Sequence, residues 1–453
     1  MKQWSTYVRD NQKLLKMIFY LAWPAVVEQA LQTIVQYIDT AMVGRIDANA
    51  SAAVGLSVTM TWVVNSALIA IGIGVLSCIA ESIGAGKMDR ARAFGIQALY
   101  FVVIMGVGMG ILMVGISPFL PKWLGADPAI RRDAALYFGI ICTPMLFRAS
   151  STILGAVMRG AGDTKSPMIA NLFMIYESRT IFLGEFSFYL PSAGLGVMGA
   201  AIATAISYVV GGIFMVIVYY RNPMLSPRSQ KLSFQKNLAG KCLHIGIPIA
   251  LERISACLGQ VVFTSLVTRL GTLALATHSI AITAEQAFYI PGYGMQAAAA
   301  TMAGNSLGEG DQKKLKHVTG IIVTIAVILM TVSGALLFFF PGFMMSIFTK
   351  DPQVIAGGVT VLKIVAISEP LFAVLIILEG IFNGLGDTKA PFFFSIFTMW
   401  GVRILGTCFC MFMLHGGLEM VWICMVADNV TRCLLLGTRF LRGSWKKKFI
   451  RRG

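Results

Sequence analysis

Long apolar runs separated by short polar turns make up most of the chain. Twelve runs are each about 18 residues or longer, which is enough to cross a bilayer as a helix. They lie near 17–43, 53–80, 94–117, 134–158, 166–190, 195–219, 243–268, 272–303, 318–341, 357–382, 390–414 and 418–440. Apolar residues are continuous within each run and do not alternate with polar ones, which favours helices over a β-barrel. The pattern predicts an all-α polytopic membrane protein with twelve transmembrane helices.

A polar turn occurs twice along the chain, with the same residues in each copy. Gly-Asp-Thr-Lys begins at Gly162 and again at Gly386, 224 residues later. The same offset relates Pro24 and Pro248, Glu28 and Glu252, Gln36 and Gln260, Arg45 and Arg269, and Arg179 and Arg403. A fixed period of this kind indicates two copies of one structural unit. We predict an N-terminal six-helix lobe over 1–220, a basic cytoplasmic linker over 221–242, and a C-terminal six-helix lobe with a basic tail over 243–453.

The number of spans in each unit determines how the two copies are related. Six is even, so both copies enter the membrane from the same side and form parallel repeats. Two parallel lobes around a central cavity are an architecture of secondary transporters, in which the cavity opens alternately to either side. We therefore expect two parallel six-helix lobes with a cavity between them.

Basic residues are distributed unequally between the two predicted sides of the membrane. The net charge is +16, although only 13% of residues are charged against roughly 25% in soluble domains. With the N-terminus inside, 25 Lys and Arg residues fall in cytoplasmic segments and 6 on the opposite side. This asymmetry predicts cytoplasmic termini, in a plasma (inner) membrane protein, and explains the charge without a nucleic-acid partner. We expect a monomer.

Motifs for covalent or nucleotide chemistry are missing from the sequence. It contains no phosphate-binding loop, no hydrolase nucleophile motif and no metal-ligand spacing among its eight cysteines. We therefore expect no enzyme activity, no nucleotide and no cofactor. The remaining chemistry lies in ionisable groups within apolar helices, each of which costs about 2.5–3.5 kcal/mol at mid-membrane and needs a reason to be there.

Several short motifs in a fixed order resemble one transporter family. They are Pro24-x-x-x-Glu28, Asp39 to Gly44, Ile83 to Gly86, Arg159 to Thr164, Gly196 to Thr204, Leu270 to Thr272, Leu307 to Asp311 and Gly384 to Pro391. Together they resemble the multidrug and toxic compound extrusion (MATE) transporters. The resemblance implies twelve helices in two lobes and cation-coupled efflux of small molecules.

A polar stripe marks one face of the first predicted helix. Its members are spaced four, four and three residues apart: Glu28, Gln32, Gln36 and Asp39. Side chains at these spacings share one helical face, which must meet protein or water because it cannot face lipid. Glu252 and Gln260 repeat part of the stripe on the seventh helix. We expect Glu28, Gln32, Gln36 and Gln260 to line the substrate cavity, although a shared structural role for the repeated pairs stays open.

Asp39 and Glu285 are acids without a counterpart in the other repeat. Asp39 falls on Phe263, and Glu285 falls on Thr61. An acid in one lobe only is typical of a single coupling site, and the resemblance implies that Asp39 occupies a position involved in cation coupling. We predict ion coupling, by H⁺ or Na⁺, at Asp39, Glu252 and Glu285, with no metal beyond a Na⁺ at these acids. The alternative for Asp39 is a capped or hydrated residue near the outer end of the helix, and for Glu252 and Glu285 a structural role.

Other charged positions carry weaker predictions. His278 is expected to be hydrogen-bonded near a helix end, and Asp428 and Arg432, four residues apart, are expected to neutralise each other. The fifth span departs from the family pattern, because Ser166 to Tyr176 offers eleven residues before Glu177 and Arg179. Either the helix continues through these charges or part of the usual segment is missing.

We predict a cation-coupled antiporter that exports amphipathic, often cationic small molecules by alternating access. The alternative is a flippase of lipid-linked precursors or polysaccharide, whose cavity would need several basic side chains for phosphate. Convergence of four arginines on one central cavity would favour the flippase: Arg148, Arg179, Arg253 and Arg403.

Overall fold

A computed structural model describes residues 2–44, 48–123, 127–183, 196–229 and 231–450. Throughout these ranges the regular structure is helical and contains no β-strand. In chain order the α-helices are α1 (Lys2–Gly44), α2 (Ala48–Gly84), α3 (Met88–Ile116), α4 (Leu120–Trp123), α5 (Pro128–Cys142), α6 (Met145–Gly160), α7 (Lys165–Leu183), α8 (Gly196–Arg221), α9 (Lys236–Thr268), α10 (Thr272–Gln286), α11 (Ile290–Glu309), α12 (Gln312–Phe339), α13 (Pro341–Ser346), α14 (Pro352–Gly384), α15 (Lys389–Ile396), α16 (Leu405–Phe412), α17 (Leu418–Leu441) and α18 (Lys446–Ile450). Short 3₁₀ turns occupy Pro227–Ser229 and Ala287–Tyr289, and Phe397–Ile404 is a π-helix.

The protein is an all-α, multi-pass membrane protein. Within the described ranges, nine helices are long and apolar enough to cross a membrane, and a bent pair would make ten. That pair joins Ile130–Cys142 to Met145–Gly160 at 51°. The predicted eighth span is also broken, because the 3₁₀ turn Ala287–Tyr289 separates α10 from α11 just before Pro291. Proline lacks the amide hydrogen that a continuous helix needs, which accounts for the break.

The fifth predicted span is helical at least as far as Leu183. Helix α7 runs from Lys165 to Leu183, so its backbone continues through Glu177 and Arg179. Of the two alternatives that the sequence left open, this supports a helix that continues past the charges. The last part of the predicted span, 184–190, lies outside the described residues.

Contacts divide the chain into two compact units. The C-terminal unit contains Met1–Gln29 and Leu251–Gly453, and the N-terminal unit contains Ala30–Ala250. This differs from a division at the linker, because residues 1–29 group with the C-terminal unit and residues 243–250 with the N-terminal unit. Their apolar side chains explain the grouping: Ile18 and Leu21 are buried in a core of the C-terminal unit, and Ile245 and Ile249 in the core of the N-terminal unit. The lobe boundaries derived from the repeat stay a prediction.

Both helices that pass from one unit into the other contain an internal proline. Pro24 lies within α1 and Pro248 within α9, at equivalent positions of the repeat. The start of α9 packs closely on α2 inside the N-terminal unit, where a methyl group on Gly246 would lie 3.0 Å from the Ala70 carbonyl oxygen. Glycine at 246 thus allows the two backbones to approach each other.

The repeated turns have the same backbone structure in both units. Gly162 and Gly386 have φ angles of 83° and 66°, a left-handed conformation that glycine adopts readily. The amide of the following aspartate donates to the carbonyl oxygen five residues back, Asp163 to Met158 and Asp387 to Phe382, at 2.9 Å in each case. In the first copy Asp163 also accepts a hydrogen bond from the Ser166 amide, at 3.0 Å, and so caps α7. The sequence repeat is therefore also a structural repeat.

Candidate functional site

The polar stripe of α1 is only partly described. Glu28 is buried and Gln32 is exposed, so these two members of the stripe lie in different surroundings. Gln36 and Asp39 lie on helical backbone, but their side chains fall outside the described part of the structure. Their predicted roles in the cavity and in ion coupling stay predictions, as does that of Gln260, which is half-buried on α9.

Five helices of the C-terminal unit bring polar side chains together around Glu379. Arg432 on α17 places Nη1 at 3.4 Å from Glu379 Oε1 on α14, and donates to Ser395 Oγ on α15 at 3.1 Å. Gln296 Nε2 on α11 lies 3.5 Å from Glu379 Oε2. The Ser395 hydroxyl also makes a hydrogen bond with Glu252 on α9. We call this set the acid–arginine network, and it contains the predicted site residue Glu252.

A second buried ion pair lies between the π-helix and α17. Arg403 Nε is 2.8 Å from Asp428 Oδ2, and both side chains are largely buried. Arg403 Nη2 donates to Asn429 Oδ1 at 3.4 Å, and its guanidinium lies 5.6 Å from the centre of the Phe263 ring. Arg403 belongs to the π-helical segment Phe397–Ile404, and such segments often occur at functional sites. The guanidinium of this pair also interacts electrostatically with the neighbouring acid Glu285.

The predicted pairing of Asp428 with Arg432 is wrong. Each residue makes its ion pair with a different helix, Asp428 with Arg403 and Arg432 with Glu379, although the two still interact electrostatically. Residues four apart on one helix lie side by side, whereas the buried face of the helix meets side chains from its neighbours. A buried charge is satisfied best by a partner that faces it directly.

Two further acids of the C-terminal unit are almost fully buried. Glu285 on α10 is 3% exposed and Glu369 on α14 is 0% exposed. Glu369 interacts electrostatically with Glu285, which in turn interacts with Arg403. Among the described residues, Glu285 Oε1 and both carboxyl oxygens of Glu369 have no hydrogen-bond partner. A carboxyl group in such surroundings is costly unless it holds a proton or a cation.

His278 is enclosed by aromatic rings. Its imidazole lies 5.6 Å from the Phe263 ring and 5.8 Å from the Trp422 ring, both edge-on. Neither ring nitrogen has a hydrogen-bond partner in the described chain. The prediction of a hydrogen-bonded histidine near a helix end is therefore wrong, because the neighbouring helices present rings and no acceptors. Arg403 interacts electrostatically with both His278 and Glu285.

The sequence predicted two of the charged residues in this region as site residues but did not predict the ion pairs around them. Glu252 was identified because the repeat places it opposite Glu28, and Glu285 because the repeat places it opposite Thr61. The ion pairs of Glu379 and Arg403 did not follow from the sequence, because their partners are distant in the chain. An acid on a continuous apolar stretch, as in α14, is the signal that could have raised Glu369 and Glu379.

Two of the four arginines that would favour a flippase lie in the C-terminal unit, where each interacts with an acid. Arg403 is paired with Asp428, and Arg253 interacts with Glu252 in the same unit. Arg148 belongs to the N-terminal unit, where its guanidinium stacks on Tyr208 at 4.8 Å. The Arg179 side chain lies outside the described residues. Within the part of the chain that is described, no group of His, Cys, Asp and Glu could hold a metal ion.

Comparison with known proteins gives consistent matches along nearly the whole chain. The MatE family model matches residues 24–181 and 248–409, and the two matches begin 224 residues apart, as the sequence repeat does. The chain is 29% identical, over 97% of its length and 94% of the relative, to a probable multidrug resistance protein NorM of Thermotoga maritima. It is 24% identical to the uncharacterized transporter YisQ of Bacillus subtilis, over 95% of each chain.

Solved structures show the same fold. An outward-facing multidrug resistance MATE family transporter superposes with a TM-score of 0.89 at 22% identity, covering 95% of this chain and 96% of the other. A MATE protein in the bent conformation gives 0.88 at 22% identity, covering 96% and 97%. The family model spans more than half of the chain in the same repeat register that the structure shows, and the chain therefore belongs to the MATE family of transporters.

Proposed function

We propose that the protein is a cation-coupled antiporter that exports amphipathic, often cationic small molecules by alternating access. The observation that carries the proposal is a set of acids within the helices of a MATE-family chain, of which Glu285 and Glu369 are buried and Glu252 and Glu379 are half-buried. Acids inside membrane helices are costly and usually serve ion or substrate pathways. The Thermotoga maritima relative, named a probable multidrug resistance protein, supports drug-like substrates.

In this proposal the acids exchange a cation for the substrate. Glu252 and Glu285, together with Asp39 of α1, bind H⁺ or Na⁺ in one orientation of the transporter and release it in the other. Glu252 is hydrogen-bonded to Ser395 and interacts electrostatically with Arg432. Gain or loss of a cation at Glu252 therefore changes the net charge of the acid–arginine network. The polar residues of α1, with Gln260, contribute to the substrate cavity. The protein needs no nucleotide or cofactor.

A flippase of lipid-linked precursors is the competing function, and the charge pairing gives it less support. Phosphate groups need basic side chains that are not already neutralised. Arg403 and Arg432 are both committed to acids, at 2.8 Å and 3.4 Å. We further propose that both termini lie on the cytoplasmic side of the plasma (inner) membrane, because of the unequal distribution of basic residues. The transporter is proposed to be a monomer.

Efflux by point variants in cells tests the proposed function. Asp39→Asn and Glu285→Gln are each expected to abolish resistance to a cationic dye or drug while the protein remains at its normal level in the membrane. Asp133→Asn and Glu419→Gln are matched controls, because both side chains are exposed, and they are expected to keep efflux. Wild-type efflux by Asp39→Asn would exclude Asp39 as a coupling residue, and wild-type efflux by both would remove the basis of the proposal.

A further inference from the structure

A groove opens on the surface of the C-terminal unit at the beginning of α12. Its volume is about 380 Å³. Leu15 of α1 forms one side, and the rest comes from α12: Lys316, His317, Gly320, Ile321, Thr324 and Ile325. These residues recur at intervals of four, so they form one continuous face of the helix. All of the lining residues belong to the C-terminal unit.

Residue 320 creates the groove because it has no side chain. A methyl group built on Gly320 would meet nothing within 4 Å. One turn later, the Thr324 hydroxyl donates to the Gly320 carbonyl oxygen at 2.9 Å, so this hydroxyl is satisfied from within the helix. Ile321 and Ile325 complete an apolar wall. A larger residue at 320 would therefore fill the space without displacing a neighbour.

The groove is basic at one end and apolar along its length. Lys316 is exposed at the end nearest the loop before α12, and nine residues separate it from Ile325, a rise of about 14 Å along the helix. The preceding basic residue, Lys314, is already paired with Glu309 at 2.6 Å. Lys16, next to Leu15 on α1, is exposed as well. The charge distribution predicts that this end of α12 is cytoplasmic.

We propose that this groove binds an anionic phospholipid, with one acyl chain along Gly320 and the headgroup phosphate at Lys316. An apolar groove on a membrane-spanning helix is surrounded by lipid, so an acyl chain is the occupant that its surface fits. The basic end distinguishes among lipids, because a lysine near the membrane surface attracts anionic headgroups by about fivefold in affinity. The site is separate from the acid–arginine network and does not depend on the proposed transport activity.

Native mass spectrometry of the purified full-length protein tests the site. The protein is titrated with phosphatidylglycerol and with phosphatidylethanolamine of the same acyl chains. Wild type is expected to prefer phosphatidylglycerol. Lys316→Gln is expected to bind phosphatidylglycerol about fivefold more weakly. The loss is expected to be smaller for phosphatidylethanolamine, whose ammonium group offsets the phosphate charge. Gly320→Leu is expected to lose the tightest bound molecule of either lipid.

Two matched variants separate this site from general effects. Lys313→Gln removes an exposed charge from the same helix end without touching the groove, and Gly437→Leu adds the same side chain at another open helical glycine. Both are expected to bind lipid as wild type does. Equal binding of the two lipids by wild type would overturn the headgroup assignment. Unchanged lipid binding by Gly320→Leu, in a protein that melts at the wild-type temperature, would show that the groove is not the site.

Discussion

Replacing Gly384 by alanine tests whether the repeated turn holds each unit together by close helix packing. Gly384 ends α14, where a methyl group would collide with the Ala300 carbonyl oxygen and lie 2.9 Å from Ala300 Cα. Its counterpart Gly160 packs on the equivalent residue Leu76, with 2.9 Å to the carbonyl oxygen and 3.1 Å to Cα. These neighbours are backbone atoms, which cannot rotate away, so the helices themselves must separate.

The structure gives the order and the approximate size of the effects. Ordinary contact begins near 3.4 Å, so alanine at 384 requires the helices to move apart by about half an ångström or more. Overpacking of this kind costs about 1–3 kcal/mol, and the better helix propensity of alanine recovers at most about 1 kcal/mol. We expect Gly384→Ala to be the more destabilised variant, and Gly160→Ala less so. Gly437→Ala, which meets nothing within 4 Å, is expected to be as stable as wild type or slightly more stable.

Thermal unfolding of the purified variants in one detergent measures these differences. For a unit of this size each kcal/mol corresponds to about 2–4 °C in Tm, so a net loss of about 1–2 kcal/mol is expected to lower the Tm of Gly384→Ala by about 2–8 °C. Transport per folded molecule is expected to change little, because the turn is a packing element. A wild-type Tm for Gly384→Ala, or a loss as large for Gly437→Ala, would refute the packing argument.

Two further stability predictions follow from the ion pairs. Asp428→Asn leaves Arg403 buried beside a neutral partner and is expected to lower the free energy of unfolding by about 3–5 kcal/mol. Glu309→Gln breaks a more exposed pair and is expected to lower it by at most about 1 kcal/mol. Similar melting temperatures for the two variants would contradict this prediction. Arg148→Met is expected to keep or raise the Tm, because in the described structure Arg148 Nη1 is buried without a hydrogen-bond partner and the guanidinium stacks on the Tyr208 ring. A marked loss of Tm in Arg148→Met would mean that the charge has a stabilising partner.

The spans and the repeat were predictable because they depend on local properties of the sequence. Span length follows from the thickness of the bilayer, and the turns follow from glycines that must adopt positive φ, as at Gly162 and Gly386. The grouping of residues 1–29 with the second half of the chain was not predictable in this way. A repeat period relates equivalent residues, but it does not say against which copy the apolar face of Ile18 and Leu21 packs.

The candidate site was predicted only in part, because the sequence identifies single residues but not the contacts between helices. Glu252 and Glu285 could be identified from their own positions, as acids within apolar helices. Their partners could not, because Arg432 lies on a different helix 180 residues after Glu252 and reaches it through packing alone. Asp428 is the clearest example. Its spacing of four residues from Arg432 suggested an ion pair with that residue, but in the structure Asp428 pairs with Arg403 of the facing helix.

The central claim is that substrate export is coupled to the entry of a cation. The measurement that tests it most directly is transport of a cationic dye by the purified protein in vesicles, under an imposed pH gradient and, separately, under an imposed sodium gradient. Coupling predicts that one of the two gradients drives the dye against its own concentration gradient, that a matching ionophore stops it, and that Glu285→Gln responds to neither. Dye movement at the same rate with no gradient, or accumulation under neither gradient, would contradict the account.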